Sequence, residues 1–108
     1  MKQHIEKIKR ELENATKKHP LFCHAYANSE KEYISRALAS IRSYNEFCEK
    51  QGKKIAATIL QEEILEAEEA FLSGDFDSCL HELAQCGAVI LRMMEFVETE
   101  KALKDKEV

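Results

Sequence analysis

Glu62, Glu63 and Glu66 stand together in the segment Leu60-Gln61-Glu62-Glu63-Ile64-Leu65-Glu66, and Glu82 and Gln85 bound the segment Glu82-Leu83-Ala84-Gln85. A three-residue step, from Glu63 to Glu66 and from Glu82 to Gln85, keeps both members of each pair on one side of a helix. At 100° per residue, Ala56, Ile59, Leu60, Ala67 and Ala70 fall within about 60° of Glu63, and Glu66 lies at the edge of that stripe. Cys79, Cys86, Val89, Met93, Phe96 and Val97 surround Glu82 in the same way, with Gln85 at the edge and Arg92 on the Gln85 side. A carboxylate inside an apolar stripe is costly unless it is paired or bound to a cation. Two readings follow: the oxygens hold a hard divalent cation, Mg²⁺ or Mn²⁺, or a Lys or Arg from another helix neutralises them. Glu68 and Glu69 read as members of a solvated face.

These residues need two helices and a turn to bring them together. Ser73-Gly74 supplies the turn, with Asp75 or Asp77 as the N-cap of the helix that follows. Glu66 lies eight residues before Gly74 and Glu82 eight after it; Glu63 lies eleven before and Gln85 eleven after. An antiparallel hairpin centred on Gly74 therefore sets Glu66 against Glu82 and Glu63 against Gln85, at adjacent heights along the helices.

The surrounding chain reads as helix throughout. Ile5, Ile8, Leu12 and Ala15 mark a first helix from about Lys2 to Lys18, ended by Pro20. The apolar connector Leu21 to Asn28 is expected to pack over the core. Ser29 and Glu32 read as a capping box opening a second helix, whose core face is Ile34, Ala37, Leu38, Ile41, Tyr44 and Cys48 and whose end is near Gly52. A third helix spans about Lys54 to Leu72, and a fourth runs from the Asp75 or Asp77 cap to about Lys101 before a fraying charged tail. With no linker or internal repeat, the expectation is a single all-α domain over residues 1–108, a four-helix bundle with an antiparallel helix 3–helix 4 hairpin.

Composition agrees with this and narrows the function. Three Gly and one Pro in 108 residues are too few for a turn-rich β fold. Sixteen basic against twenty acidic residues leave no basic footprint for nucleic acid. No apolar run approaches the ~20 residues of a membrane span. Without an apolar signal core at Met1-Lys2-Gln3-His4-Ile5-Glu6, and with Cys23, Cys48, Cys79 and Cys86 far apart, the expectation is a cytoplasmic protein with reduced thiols. The uncharged stretch Cys86 to Leu91, followed by Met93, Met94, Phe96 and Val97, is more apolar surface than one core contact uses. It points to a homo-oligomer, a dimer or tetramer, built on helix four.

The two acidic segments, their spacing and Gly74-Asp75 between them resemble the MazG-like all-α nucleoside triphosphate pyrophosphohydrolases, over about residues 55 to 97. The family signature is E-x-x-E followed, on a second helix, by E-x-x-D. The resemblance implies Mg²⁺-dependent cleavage of a nucleotide between its α- and β-phosphates. It implies Glu63, Glu66 and Glu82 as metal ligands and Glu62 as a ligand or water-positioning base. Gln85 stands where the family has Asp. A neutral amide cannot act as a base and binds metal weakly, so a non-catalytic member of the fold, acting as a binding or interaction module, is the alternative.

Other candidates are less specific. Arg92 is a candidate phosphate contact or an ordinary surface arginine. Asn45 is placed either to recognise a nucleotide base or to satisfy a buried backbone group. His4, His19 and His81 read as surface residues, and the neighbouring Cys23 and His24 as no nucleophile pair. Met93 and Met94 read as packing residues.

Overall fold

The computed structural model describes residues 1–27 and 30–107, and these form four helices with no strand among them. They are α1 (Lys2–Lys18), α2 (Lys31–Lys50), α3 (Ala56–Leu72) and α4 (Phe76–Glu107). The all-α expectation holds. Contacts divide the chain into two compact units: Met1–Tyr26 with Leu91–Val108, and Ala27–Ile90. Helix α4 runs unbroken through both.

In the second unit, α2 and α3 are linked by one turn and α3 and α4 by another, and both turns are closed by the same device. After α2, Gly52 adopts φ 74°; its N–H donates to the Glu49 carbonyl and the Lys53 N–H to the Cys48 carbonyl. After α3, Gly74 adopts φ 81°, with its N–H on the Phe71 carbonyl and the Asp75 N–H on the Ala70 carbonyl. Each is a Schellman turn, whose left-handed residue favours glycine. Asp75 then caps α4: its Oδ1 accepts from the Ser78 N–H at 3.1 Å and its Oδ2 from the Ser78 hydroxyl at 2.7 Å. The Phe71 and Phe76 rings pack across the turn with centroids 5.4 Å apart.

Gly74→Ala is expected to destabilise the fold by about 1 kcal/mol, because the left-handed conformation is strained for any residue with a Cβ. Asp75→Ala should also destabilise the fold, through loss of the cap. The Ser78 hydroxyl and amide hold the Asp75 carboxyl below its usual value. Its contribution is therefore present above the ordinary aspartate range and is lost as pH falls through the depressed value. Thermal unfolding of both variants between neutral and acid pH checks these effects; the Asp75→Ala deficit should shrink in acid and the Gly74→Ala deficit should not.

The core of this unit is small. Ile34, Leu38, Cys48, Ala67, Cys79 and Cys86 are buried, and only Ile34 and Leu38 among them are large. The three buried cysteines and exposed Cys23 are free thiols.

Several expectations are corrected. The Leu21 to Asn28 connector does not pack over the core: Leu21 and Cys23 are exposed and Phe22 is 93% exposed, while Asn28 lies outside the described residues. Ser29 also lies outside them; Glu30 occupies the N-cap position of α2 without a side-chain cap bond. Tyr44, assigned to the core face, is exposed. Lys54 precedes α3, whose N-cap is Ile55, because the turn after α2 extends that far. Helix α4 continues past Lys101 to Glu107: its last residues are helix formers, and Lys104 and Lys106 complement the negative end of the helix dipole.

In the first unit, His4 is not a surface residue. It is 8% exposed, and its Nε2 lies 2.7 Å from Glu98 Oε2. The apolar positions Ile5, Ile8 and Leu12 are instead exposed, as are Phe96 and Val97 on α4.

Candidate metal centre

Helix α3 presents its acidic residues to two neighbours at once. Toward α2 they meet a polar ladder. Ser35 Oγ donates to Glu69 Oε2 at 3.3 Å, Arg42 Nη2 to Glu66 Oε1 at 3.3 Å and Asn45 Nδ2 to Glu62 Oε1 at 2.9 Å. Ser35, Arg42 and Asn45 step along α2 by seven and three residues, while Glu62, Glu66 and Glu69 step along α3 by four and three. Both progressions follow one helix edge, and they run antiparallel. Glu69 is accordingly half-buried and bonded, and Glu68 is half-buried as well; neither is the solvated residue expected.

Toward α4 the hairpin register holds. One carboxylate oxygen from each of Glu63, Glu66 and Glu82 lies within 4.8 Å of the other two, and all three residues are half-buried. Gln85 joins them: with its amide nitrogen turned inward it donates to Glu82 Oε2 at 2.8 Å and Glu63 Oε2 at 3.1 Å. The opposite orientation would set an amide oxygen against two carboxylate oxygens.

The electrostatics follow from this crowding. Burial raises the Glu66 carboxyl above its usual value; Arg42 lowers it, and neighbouring Glu82 raises it further. Burial likewise raises Glu82, reinforced by Glu63. The Cys86 thiol beneath the cluster is raised by burial first and by the charges of Glu63 and Glu82 second. Among the described residues, Arg42 forms the one ion pair with the three carboxylates, to Glu66. The reading in which a basic residue from another helix pairs with the cluster is met at Glu66, by Arg42, while the neutral Gln85 amide meets Glu63 and Glu82.

Mg²⁺ holds its oxygen ligands at about 2.0–2.1 Å and larger divalent ions at about 2.3–2.6 Å. Oxygens within 4.8 Å of one another reach a common ion with small side-chain rotations. The donor set fits such an ion on one condition, that the Gln85 amide turns its oxygen inward and gives up two hydrogen bonds.

The remaining candidates fall as follows. Asn45 Nδ2 donates to the Thr58 carbonyl at 3.1 Å as well as to Glu62, so it ties α2 to α3 and orients Glu62. Arg92 is exposed and belongs to the other unit. His19, His24 and His81 are exposed, and Met93 and Met94 are half-buried. Sequence reasoning missed Ser35 and Arg42. The seven- and three-residue steps from Ser35 to Asn45 were the available signal, a polar edge beside the Ile34–Leu38 stripe.

No family model, no curated protein and no solved structure matches this chain. Among the described residues no helix is long and apolar enough to cross a membrane.

Proposed function

We propose that this chain is a divalent-cation-dependent nucleoside triphosphate pyrophosphohydrolase of low activity, in the cytoplasm. The observation that supports the reading is the convergence of Glu63, Glu66 and Glu82, from two helices, on one point. When bound there, a divalent ion would polarise the phosphates and acidify an attacking water. Glu63, Glu66 and Glu82 would hold the ion and orient the α-phosphate. Glu62, its carboxylate steered by Asn45, would position the water and accept its proton. The products would be a nucleoside monophosphate and pyrophosphate. Incubation with Mg²⁺ and each of the common nucleoside triphosphates, followed by measurement of pyrophosphate, tests this. Orthophosphate with a diphosphate product would contradict it.

The Gln85 amide bridging Glu63 and Glu82 favours a second reading, in which the bundle has lost turnover and serves as a binding module. Saturable metal and nucleotide binding without pyrophosphate release would distinguish it.

The functional form is proposed to be an assembly of identical chains joined through α4. Phe76, Leu80, Leu83, Gly87 and Ile90 recur at steps of four and three residues, and all are exposed. That spacing is the seam of a helix pair. Gly87 sits mid-helix, where glycine costs about 1 kcal/mol relative to alanine. Beyond its own helix backbone and chain neighbours, nothing described lies within 4 Å of where its Cβ would be. Close approach by a second copy's helix gives the glycine a purpose. Gly87→Leu is expected to shift sedimentation toward monomer while leaving helix content unchanged; an unaltered sedimentation coefficient would argue against this interface.

A further inference from the structure

A cavity of about 240 Å³ opens on the α2 side of the carboxylate cluster, within the same unit. Asn45 and Glu49 of α2, Glu62 and Glu63 of α3, and Lys53 and Lys54 of the connector are among the residues that line it. Glu63 belongs both to this wall and to the candidate metal centre. The cavity is smaller than the roughly 300–1,000 Å³ that encloses a whole small-molecule ligand. It therefore takes one part of a ligand. Its lining sets three carboxylates, Glu49, Glu62 and Glu63, beside two lysines, so a phosphate chain enters it with a cation on the carboxylate side.

Lys53 and Lys54 are exposed at the rim, and neither makes an ion pair among the described residues although Glu49, Glu62 and Glu63 line the same cavity. The connector holding them is short and anchored. Lys53 N–H is bonded to the Cys48 carbonyl, Gly52 takes the left-handed turn, and Ile55 already caps α3. Two lysines on a backbone-anchored connector thus line the same small cavity as Glu63, a member of the proposed metal centre. An uncharged base or sugar uses two adjacent ammonium groups only as hydrogen-bond donors. A chain of phosphates gains more, because it carries charge along its length and is attracted by cations at both ends.

We infer that Lys53 and Lys54 form the binding element for the phosphate chain of the ligand, which spans the cavity from the metal-bearing face of Glu63 to the connector. This rests on the proposed polyphosphate substrate, and it adds residues outside the acidic segments.

Inorganic tripolyphosphate, titrated by calorimetry into the full-length protein in excess Mg²⁺, isolates the phosphate contribution from base and sugar. The doubly substituted protein Lys53→Gln, Lys54→Gln is expected to bind it at least tenfold more weakly than wild type. Its affinity for Mn²⁺ without phosphate should stay within twofold, since neither lysine touches the carboxylates. Lys17→Gln, Lys18→Gln, an exposed lysine pair at the end of α1, removes the same charge elsewhere and should change tripolyphosphate binding by less than twofold. Equal affinity for wild type and the Lys53, Lys54 variant would overturn the assignment, as would equal losses in the two lysine-pair variants. If tripolyphosphate binding depends on Lys53 and Lys54 while Mn²⁺ shows no saturable site, the lysine assignment stands and the metal centre falls.

Discussion

Gln85→Asp is expected to raise affinity for Mg²⁺ and Mn²⁺ by tenfold or more and to raise pyrophosphate release with it. In the wild type, the Gln85 amide donates to Glu82 and Glu63 at 2.8 and 3.1 Å, so its NH₂ occupies ground that a cation needs. An entering ion must reverse that amide, breaking two hydrogen bonds to charged groups, each worth about 1.5–3 kcal/mol. The reversed oxygen then offers the ion only a dipole. Aspartate removes the competing donor and adds a fourth carboxylate, and about 1.4 kcal/mol is enough for a tenfold shift. The shorter side chain is the opposing factor, since it draws the oxygens back toward α4. Parallel calorimetry and pyrophosphate assays on the two proteins measure the effect. Unchanged affinity would place Gln85 outside any metal site.

The second large effect is on stability. Glu82→Gln should raise the melting temperature by several degrees in metal-free buffer at neutral pH, and it should abolish the further rise that saturating Mn²⁺ gives the wild type. The cause is the raised carboxyl values of Glu66 and Glu82, driven by burial first and by neighbouring carboxylates next. An acid whose folded value lies above its unfolded one stabilises the fold fully below the unfolded value, and that contribution is lost as pH rises through the folded value. The metal-free wild type should therefore gain stability as pH falls from neutral toward the ordinary glutamate value of 4.5. Glu82→Gln should show much less of that gain, because one member of the interacting set no longer ionises. A wild type whose melting temperature falls monotonically over this range would show that the cluster is not strained by its charges.

The hairpin was legible because its determinants are local. Gly74 and Asp75 define the turn, and eight residues on either side is a distance that helical periodicity carries without error. The arithmetic that set Glu66 against Glu82 needed nothing else. The polar ladder was not legible, because which edge of α2 meets α3 depends on how two helices pack. Arg42 and Ser35 are unremarkable on their own helix; only the antiparallel progression of Glu62, Glu66 and Glu69 gives them partners. His4 was misread for the same reason. Nothing within α1 signals that Glu98, more than ninety residues away in sequence, closes over it. The connector at Phe22 differs in cause: apolar composition does not by itself bury a loop, and Leu21 and Phe22 remain in solvent.

The central claim is that Glu63, Glu66 and Glu82 form one site for a divalent cation. Titration of Mn²⁺ into the wild type, Glu63→Gln and Glu82→Gln by calorimetry at neutral pH tests it most directly. One saturable site is expected in the wild type and its loss in both variants, with helix content preserved. Superimposable heats from all three proteins, or no saturable heat in the wild type, would contradict it.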